Sequence, residues 1–341
     1  MPPSIWSEAE EINSLQMKRP HLVILGAGAS LAAFPSGDRN GIKLPIMKDL
    51  VEIVGLRRIF EDANIHEPYD DFEAIYSDIA VNPTLVDLKN EIETRVFDYF
   101  NVLDLPDTPT LYDHLVLSLR PKDVIATFNW DPFLCQAASR NYRFGGAPNI
   151  LFLHGNVAFA YCPICKIGQP LRVTCGKCQR ELIKSPLLYP VKQKDYQDDA
   201  GIAAHWRALE HEMKHAWALT VFGYGAPKTD VEAIRIMKNA WGNTENRELE
   251  QTELIDIRSD DDLVTTWEPF IHSHHYDTWT SFYDSYIAKF PRRSGEALWA
   301  QLMECQWLDP KPFPRDVGFP ELYEWLRPRI HAEHENGEQS G

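Results

Sequence analysis

No apolar run in this chain approaches the ~20 residues that a membrane-spanning helix needs, and residues 1–19 are polar and acidic rather than signal-like. A cytoplasmic protein without a membrane partner is the expectation. Basic charge is scarce as well: 34 Lys and Arg stand against 50 Asp and Glu, a formal net charge of −16. A strongly basic face cannot be built from that balance, which argues against direct contact with a nucleic-acid backbone. Core-forming residues are plentiful. Of 341 residues, 44% are hydrophobic and 25% charged, enough for one large domain, or one domain carrying an insertion.

The stretch His21-Leu22-Val23-Ile24-Leu25-Gly26-Ala27-Gly28-Ala29-Ser30 joins an apolar run to Gly-x-Gly and then to small residues able to start a helix. That order reads as a buried parallel strand, a tight turn and a helix N-terminus, where backbone N–H groups attract phosphate oxygens. The third glycine of the full dinucleotide fingerprint is missing, with Leu31 in its place. A nucleotide cradle and an unliganded strand-to-helix turn would both use these residues.

Further buried strands are expected at Asp123–Thr127, Asn149–Leu153, Ala218–Phe222 and Glu253–Ile257, each followed by polar residues. This is the pattern of an open α/β protein with a Rossmann-like parallel sheet, in which ligands bind beyond the carboxyl ends of the strands. Three polar sets would meet on one rim: Gly26 to Ser30, Asn129 with Asp131, and His154. Between the strands, Leu44-Pro45-Ile46-Met47 is expected to open a helix through about Phe60. Residues 70–120 read as mostly helical, with the acids of Asp71-Phe72-Glu73 serving only the helix dipole.

Four of the six cysteines fall together, as Cys162-Pro163-Ile164-Cys165 and Cys175-Gly176-Lys177-Cys178. Two C-x-x-C knuckles nine residues apart suit one tetrahedral zinc ion, and four thiolates leave no open position for catalysis, so the Zn2+ is structural. Residues 265–290 carry His272, His274 and His275, read as ordinary loop histidines because no further ligand completes a second metal set. A short helix holds Leu322, Trp325 and Leu326. The resulting division is a leader over 1–19, a main domain over 20–330 with a zinc ribbon inserted at 158–184, and a mobile polar tail over 331–341.

In this order the motifs resemble the sirtuin family: Gly26-Ala27-Gly28-Ala29-Ser30, Thr127-Phe128-Asn129-Trp130-Asp131, His154-Gly155, then the zinc knuckles, Gly223-Tyr224-Gly225 and Leu254-Ile255-Asp256. The resemblance spans roughly residues 20–260. It implies NAD+ as substrate, lying between sheet and ribbon and touching Gly26 to Ser30, Thr127, Gly223, Tyr224, Gly225 and Asp256. It implies cleavage of the nicotinamide–ribose bond, with Asn129 orienting the ribose or a water, His154 as general base and Asp131 supporting the Asn129 loop. A dehydrogenase would want an acidic residue ending a strand about 20 positions past the glycines, and here that region, Ile42 to Leu50, reads as an amphipathic helix start instead.

Protein-deacylating sirtuins carry Gly-Ile-Pro-Asp-Phe-Arg after the glycine turn. Here Gly41-Ile42-Lys43-Leu44-Pro45-Ile46-Met47 lacks the Phe-Arg pair. That departure is similar to the sirtuin-like NAD+ hydrolases of bacterial anti-phage defence, and implies water as acceptor, with a homo-oligomer or a defence partner such as an ATPase or nuclease controlling activity. A deacylase, an ADP-ribosyltransferase and a non-catalytic NAD+ or ADP-ribose sensor remain the alternatives.

Overall fold

The computed structural model describes residues 6–336, apart from 67, 166, 171–173, 190–195, 197–198, 227–229, 244, 246, 248 and 272–274. Six strands form one wholly parallel sheet: β1 (His21–Leu25), β2 (Val124–Thr127), β3 (Asn149–Phe152), β7 (Ala218–Phe222), β8 (Gln251–Ile255) and β9 (Tyr276–Trp279). Their order is β3-β2-β1-β7-β8-β9. The chain therefore builds outward from β1 in one direction, then returns to β1 and builds outward in the other. That reversal, between β1 and β7, is where doubly wound sheets open a crevice.

Every residue of β1, β2, β7 and β8 is buried; β1, β2 and β7 accordingly read as largely apolar runs, whereas β8 buries Gln251, Thr252 and Glu253. Alternation divides their side chains between two cores. Val23, Leu25, Ile125 and Phe222 face a layer with Val51, Phe60, Phe72, Ile92 and Phe133. Leu22, Ile24, Val124 and Val221 face a layer with Trp206, Met213, Met237, Trp241 and Trp267. No described helix is long and apolar enough to cross a membrane.

Directly after β3, a three-stranded antiparallel sheet is inserted, made of β4 (Phe159–Tyr161), β5 (Gly168–Pro170) and β6 (Ile183–Lys184) in the order β5-β4-β6. Among its described residues only Ala160, Cys162 and Cys175 are buried. A unit with so little apolar core needs another source of stability.

Four expectations require correction. Leu44 to Met47 is loop running into a turn, and two short helices, Leu50–Val54 and Arg57–Asp62, replace the single one. Gly55 breaks them apart in the left-handed region, at φ 79°. The fifth strand begins and ends two residues early, leaving Ile257 exposed beyond it. A sixth strand, β9, lies in a stretch that carried no strand signal.

Residues 331–335 of the expected tail are helical, and 337–341 lie outside the described residues. Phe319–Glu335 forms one helix in which Ala332 and Glu333 are buried. Glu333 accepts from Arg292 Nη2 at 2.5 Å and from Arg293 Nη1 at 2.7 Å. Arg329 of the same helix pairs with Glu11 of the N-terminal helix Glu8–Asn13 at 2.7 Å. Of the histidines at 272–275, only His275 lies within the described residues.

Candidate active site

Two glycine turns cross at the sheet's reversal point. Gly26 caps the helix Ala27–Ala33, and its N–H donates to Phe222 O at 3.0 Å, while the Gly28 N–H donates to Gly223 O at 3.0 Å. A Cβ on Gly26 would lie 2.5 Å from both Gly223 O and Tyr224 Cα. The glycines are thus required by the approach of one turn to the other. The Ala29 N–H is also committed, to Gly26 O at 3.0 Å. Ala27 lines the open side of the turn.

Beyond β2, the Asn129 amide nitrogen donates to Gly26 O at 2.9 Å and Ser30 Oγ at 3.1 Å, and lies 3.3 Å from Tyr112 Oη. Ser30 Oγ donates to Asp131 Oδ2 at 2.6 Å and stands 2.7 Å from Tyr112 Oη. With its one proton spent on Asp131, the Ser30 hydroxyl accepts from Asn129 and from Tyr112, which fills its capacity. These bonds fix which way the Asn129 amide faces. Its Oδ1 makes no hydrogen bond among the described residues.

Burial pushes the Asp131 carboxyl up to about 6, against the opposing hydrogen bonds from Ser30 and the Phe133 N–H. Asn156 donates to Asp131 O at 2.6 Å and so ties this loop to the end of β3.

His154 follows β3. Its ring meets Phe128 edge-on at 4.8 Å, and its Nε2 lies 3.5 Å from Tyr196 Oη. Phe128 stacks on Tyr224 at 4.1 Å with the rings 3° from parallel, and Tyr224 Oη donates to Asp230 Oδ2 at 2.9 Å. The three polar sets read from the sequence do converge: a cavity of about 390 Å³ is lined by Gly26, Ala27, Gly28 and Ser30, by Asn129 and Asp131, and by His154, Gly223, Tyr224 and Gly225.

The structure places the other expected residues elsewhere. Ala29 and Thr127 are buried behind the cavity wall, and Thr127 Oγ1 accepts the Asn129 N–H at 3.0 Å. Asp256 lies past β8, outside the lining, with its carboxylate on Arg258 at 2.9 Å. Two lining residues carried no signal of a site, Glu73 and Phe100, while the loop Leu44 to Met47, marked by its missing Phe-Arg pair, does line the cavity. Asp71 caps its helix by accepting the Ala74 N–H at 2.9 Å, while Glu73 reaches the cavity wall, so the acids there do more than favour a dipole.

The four knuckle cysteines form a separate centre. Their Sγ atoms all lie within 4.8 Å of one another, with Cys162 and Cys178 at 3.5 Å. Tetrahedral zinc at about 2.3 Å from each sulfur needs sulfurs about 3.8 Å apart, so the set fits the ion. The four thiols do not shift together: backbone N–H groups hold Cys175 down to about 6, while burial and the neighbouring thiols push Cys165 up to about 12.

No protein-family model matches this chain, and no curated protein matches it. Solved structures do. A Sir2 homologue in complex with NAD is 16% identical at a TM-score of 0.41, covering 87% of this chain and 96% of that one. A Sir2 enzyme described for its mechanism and regulation is 14% identical at 0.40, covering 96% and 98%. A Sir2 homologue in complex with ADP-ribose is also 14% identical, at 0.39. Likeness at this level leaves the chemistry of the site to be read from this chain's own residues.

Proposed function

We propose that this protein cleaves the nicotinamide–ribose bond of NAD+ and gives the ribosyl group to water, releasing nicotinamide and ADP-ribose. The observation that carries the reading is the meeting of the crossed glycine turns, Asn129, Asp131 and His154 around one cavity at the carboxyl ends of parallel strands. In that cavity the dinucleotide's diphosphate lies along the open side of the Gly26 turn, at Ala27, with Gly225 facing it. The Asn129 amide nitrogen is committed inward, so its Oδ1 is what remains to accept from a ribose hydroxyl or the attacking water. Ser30, Tyr112 and Asp131 hold that amide in place.

The C1′–N bond breaks with its electron pair leaving on nicotinamide, which neutralises the pyridinium and needs no proton. Positive charge develops on the ribose, and the water oxygen bonds to C1′ while His154 takes its proton. Phe128 and Tyr224 wall the site and exclude bulk water. The zinc ion, held by Cys162, Cys165, Cys175 and Cys178, stabilises the ribbon. The loop Leu44 to Met47, without the Phe-Arg pair of the deacylating sirtuins, supports water as acceptor and, with it, NAD+ depletion in anti-phage defence as the biological role.

The test is incubation of the purified chain with NAD+ and no peptide, following nicotinamide by chromatography. Release that depends on Asn129 and His154 is the expected result. Turnover only with an acyl-lysine peptide would make the protein a deacylase. A mass shift of about one ADP-ribose on a protein substrate would make it a transferase, and binding without product a sensor.

A further inference from the structure

Among the described residues no hydrogen bond joins the side chains of Asp131 and Asn129. Ser30 stands between them, its Oγ 2.6 Å from Asp131 Oδ2 and 3.1 Å from Asn129 Nδ2. A serine hydroxyl has one proton and two lone pairs. While Asp131 is ionised, the proton goes to its carboxylate, and the lone pairs take the Tyr112 hydroxyl and one Asn129 N–H. The other amide proton goes to Gly26 O at 2.9 Å. Every donor of the cluster is satisfied.

A proton on Asp131 Oδ2 reverses its bond to Ser30, because the carboxyl now donates. Three donors, on Asp131, Tyr112 and Asn129, then compete for two lone pairs, and the Ser30 proton must find another acceptor. Turning the Asn129 amide over resolves both conflicts, since Oδ1 then accepts from the displaced hydroxyls. Gly26 O is not orphaned by the turn, as the Ala29 N–H still reaches it at 3.0 Å.

We propose that Asp131 is a positioning residue acting through Ser30: its ionised carboxylate keeps Asn129 Oδ1 turned to the cavity, and its protonated form turns Nδ2 there instead. An N–H in that place cannot accept from a ribose hydroxyl or the attacking water, so one proton switches the site off. The effect on turnover rests on the NAD+ reading; the turning of the amide does not. Burial holds the Asp131 carboxyl up at about 6, which sets the pH at which the change falls. Two titratable groups face it, Tyr112 from the helix Leu111–Leu117 and Cys135 from the helix Phe133–Asn141. Burial and the Asp131 charge raise both, Cys135 to about 12, so neither titrates with it.

NMR of the ligand-free protein tests this, with isotope-labelled asparagine and the Asn129 side-chain amide identified by its loss in Asn129→Asp. Its signals should change over with a midpoint near pH 6, and Ser30→Ala should abolish that change. Turnover gives a second arm. In Asp131→Asn the amide oxygen keeps the Phe133 N–H, and the amide nitrogen donates to Ser30 as a protonated carboxyl does. That variant should lower kcat for NAD+ about tenfold at about pH 7.5 and no more than about threefold at about pH 5, with KM little changed. His154 shares the cavity, but its protonation acts on both proteins and leaves their ratio alone. If Asp131→Asn fails to fold, the wild-type amide titration still decides. Asn129 signals unmoved by pH, a change that survives Ser30→Ala, or a kcat ratio equal at the two pH values overturns the proposal. A titrating amide in a protein that cleaves no NAD+ would sustain it and refute the NAD+ reading instead.

Discussion

Gly223 sits against the first helical turn so closely that a Cβ on it would lie 2.2 Å from Ala29 N, and its φ of 63° already disfavours any side chain. Both obstacles are backbone, so nothing can move aside. Gly223→Ala should cost more than about 3 kcal/mol or abolish folding, as read by urea denaturation. Gly41 makes the contrasting control. It has φ 76° but nothing within 4 Å of a built Cβ, so Gly41→Ala should cost only about 1 kcal/mol. Equal losses in the two variants would refute the steric account.

Tyr112 is a positioning residue in the proposed reaction, because its hydroxyl touches Ser30 and Asn129 and does not line the cavity. Tyr112→Phe removes one donor from Ser30 and should cost about 1 kcal/mol of stability. Its larger effect should be on turnover, with kcat for NAD+ falling about tenfold and KM changing little, since the Asn129 amide loses a fixed neighbour. A variant with wild-type kcat would show that the hydroxyl is merely structural.

Glu253 is buried within the sheet, where it accepts from Trp279 Nε1 at 3.0 Å, the Tyr286 N–H at 2.8 Å and Thr220 Oγ1 at 3.0 Å. Burial raises its carboxyl from 4.5 to about 7. The fold therefore favours the protonated form, and that contribution is complete below pH 4.5 and lost as pH rises through 7. Thr220 also meets His21 Nε2 at 2.7 Å, and burial lowers His21 to about 4. That contribution has the opposite sign, being present above pH 6.5 and lost as pH falls through 4. Glu253→Gln should thus gain on wild type between pH 5 and pH 8, by an amount on the order of 3 kcal/mol at most. Thermal melts at the two pH values check this, and an unchanged difference would exclude Glu253 as the titrating group.

The main sheet and the metal centre were legible because their signals are local. A strand covered on both faces is mostly apolar, as β1, β2 and β7 are, and a tetrahedral thiolate set fixes its own spacing. β9 was not legible: Tyr276 to Trp279 is a half-buried edge strand that borrows its order from β8. Glu333 looked like solvated tail because its partners, Arg292 and Arg293, lie about forty residues away. Asn129 and His154 were found by their position after strands. Tyr112, on a helix before β2, reaches the site only through tertiary packing, which no neighbouring residue announces.

Metal removal should act on the ribbon first. Elemental analysis should find one zinc per chain, and a strong chelator or Cys175→Ser should lower the melting temperature, since three strands of two or three residues cannot hold themselves together. Chelation that leaves both the melting curve and proteolysis between residues 159 and 184 unchanged would show that the cysteines need no ion.

The ion pair between Glu11 and Arg329 has a consequence during synthesis. These residues are 318 positions apart, and β1 must likewise await β7 to complete the centre of the sheet. At 5–20 residues per second, the first helix leaves the ribosome roughly 16–60 s before its partner exists. Through that interval the Glu11 carboxylate stays hydrated, although Arg120 and then Arg293 already reach the carbonyls of Met17, Glu11 and Ile12. A ribosome stalled between Arg293 and Arg329 would carry a nascent protein whose first helix is held by its backbone alone, with its carboxylate still unpaired.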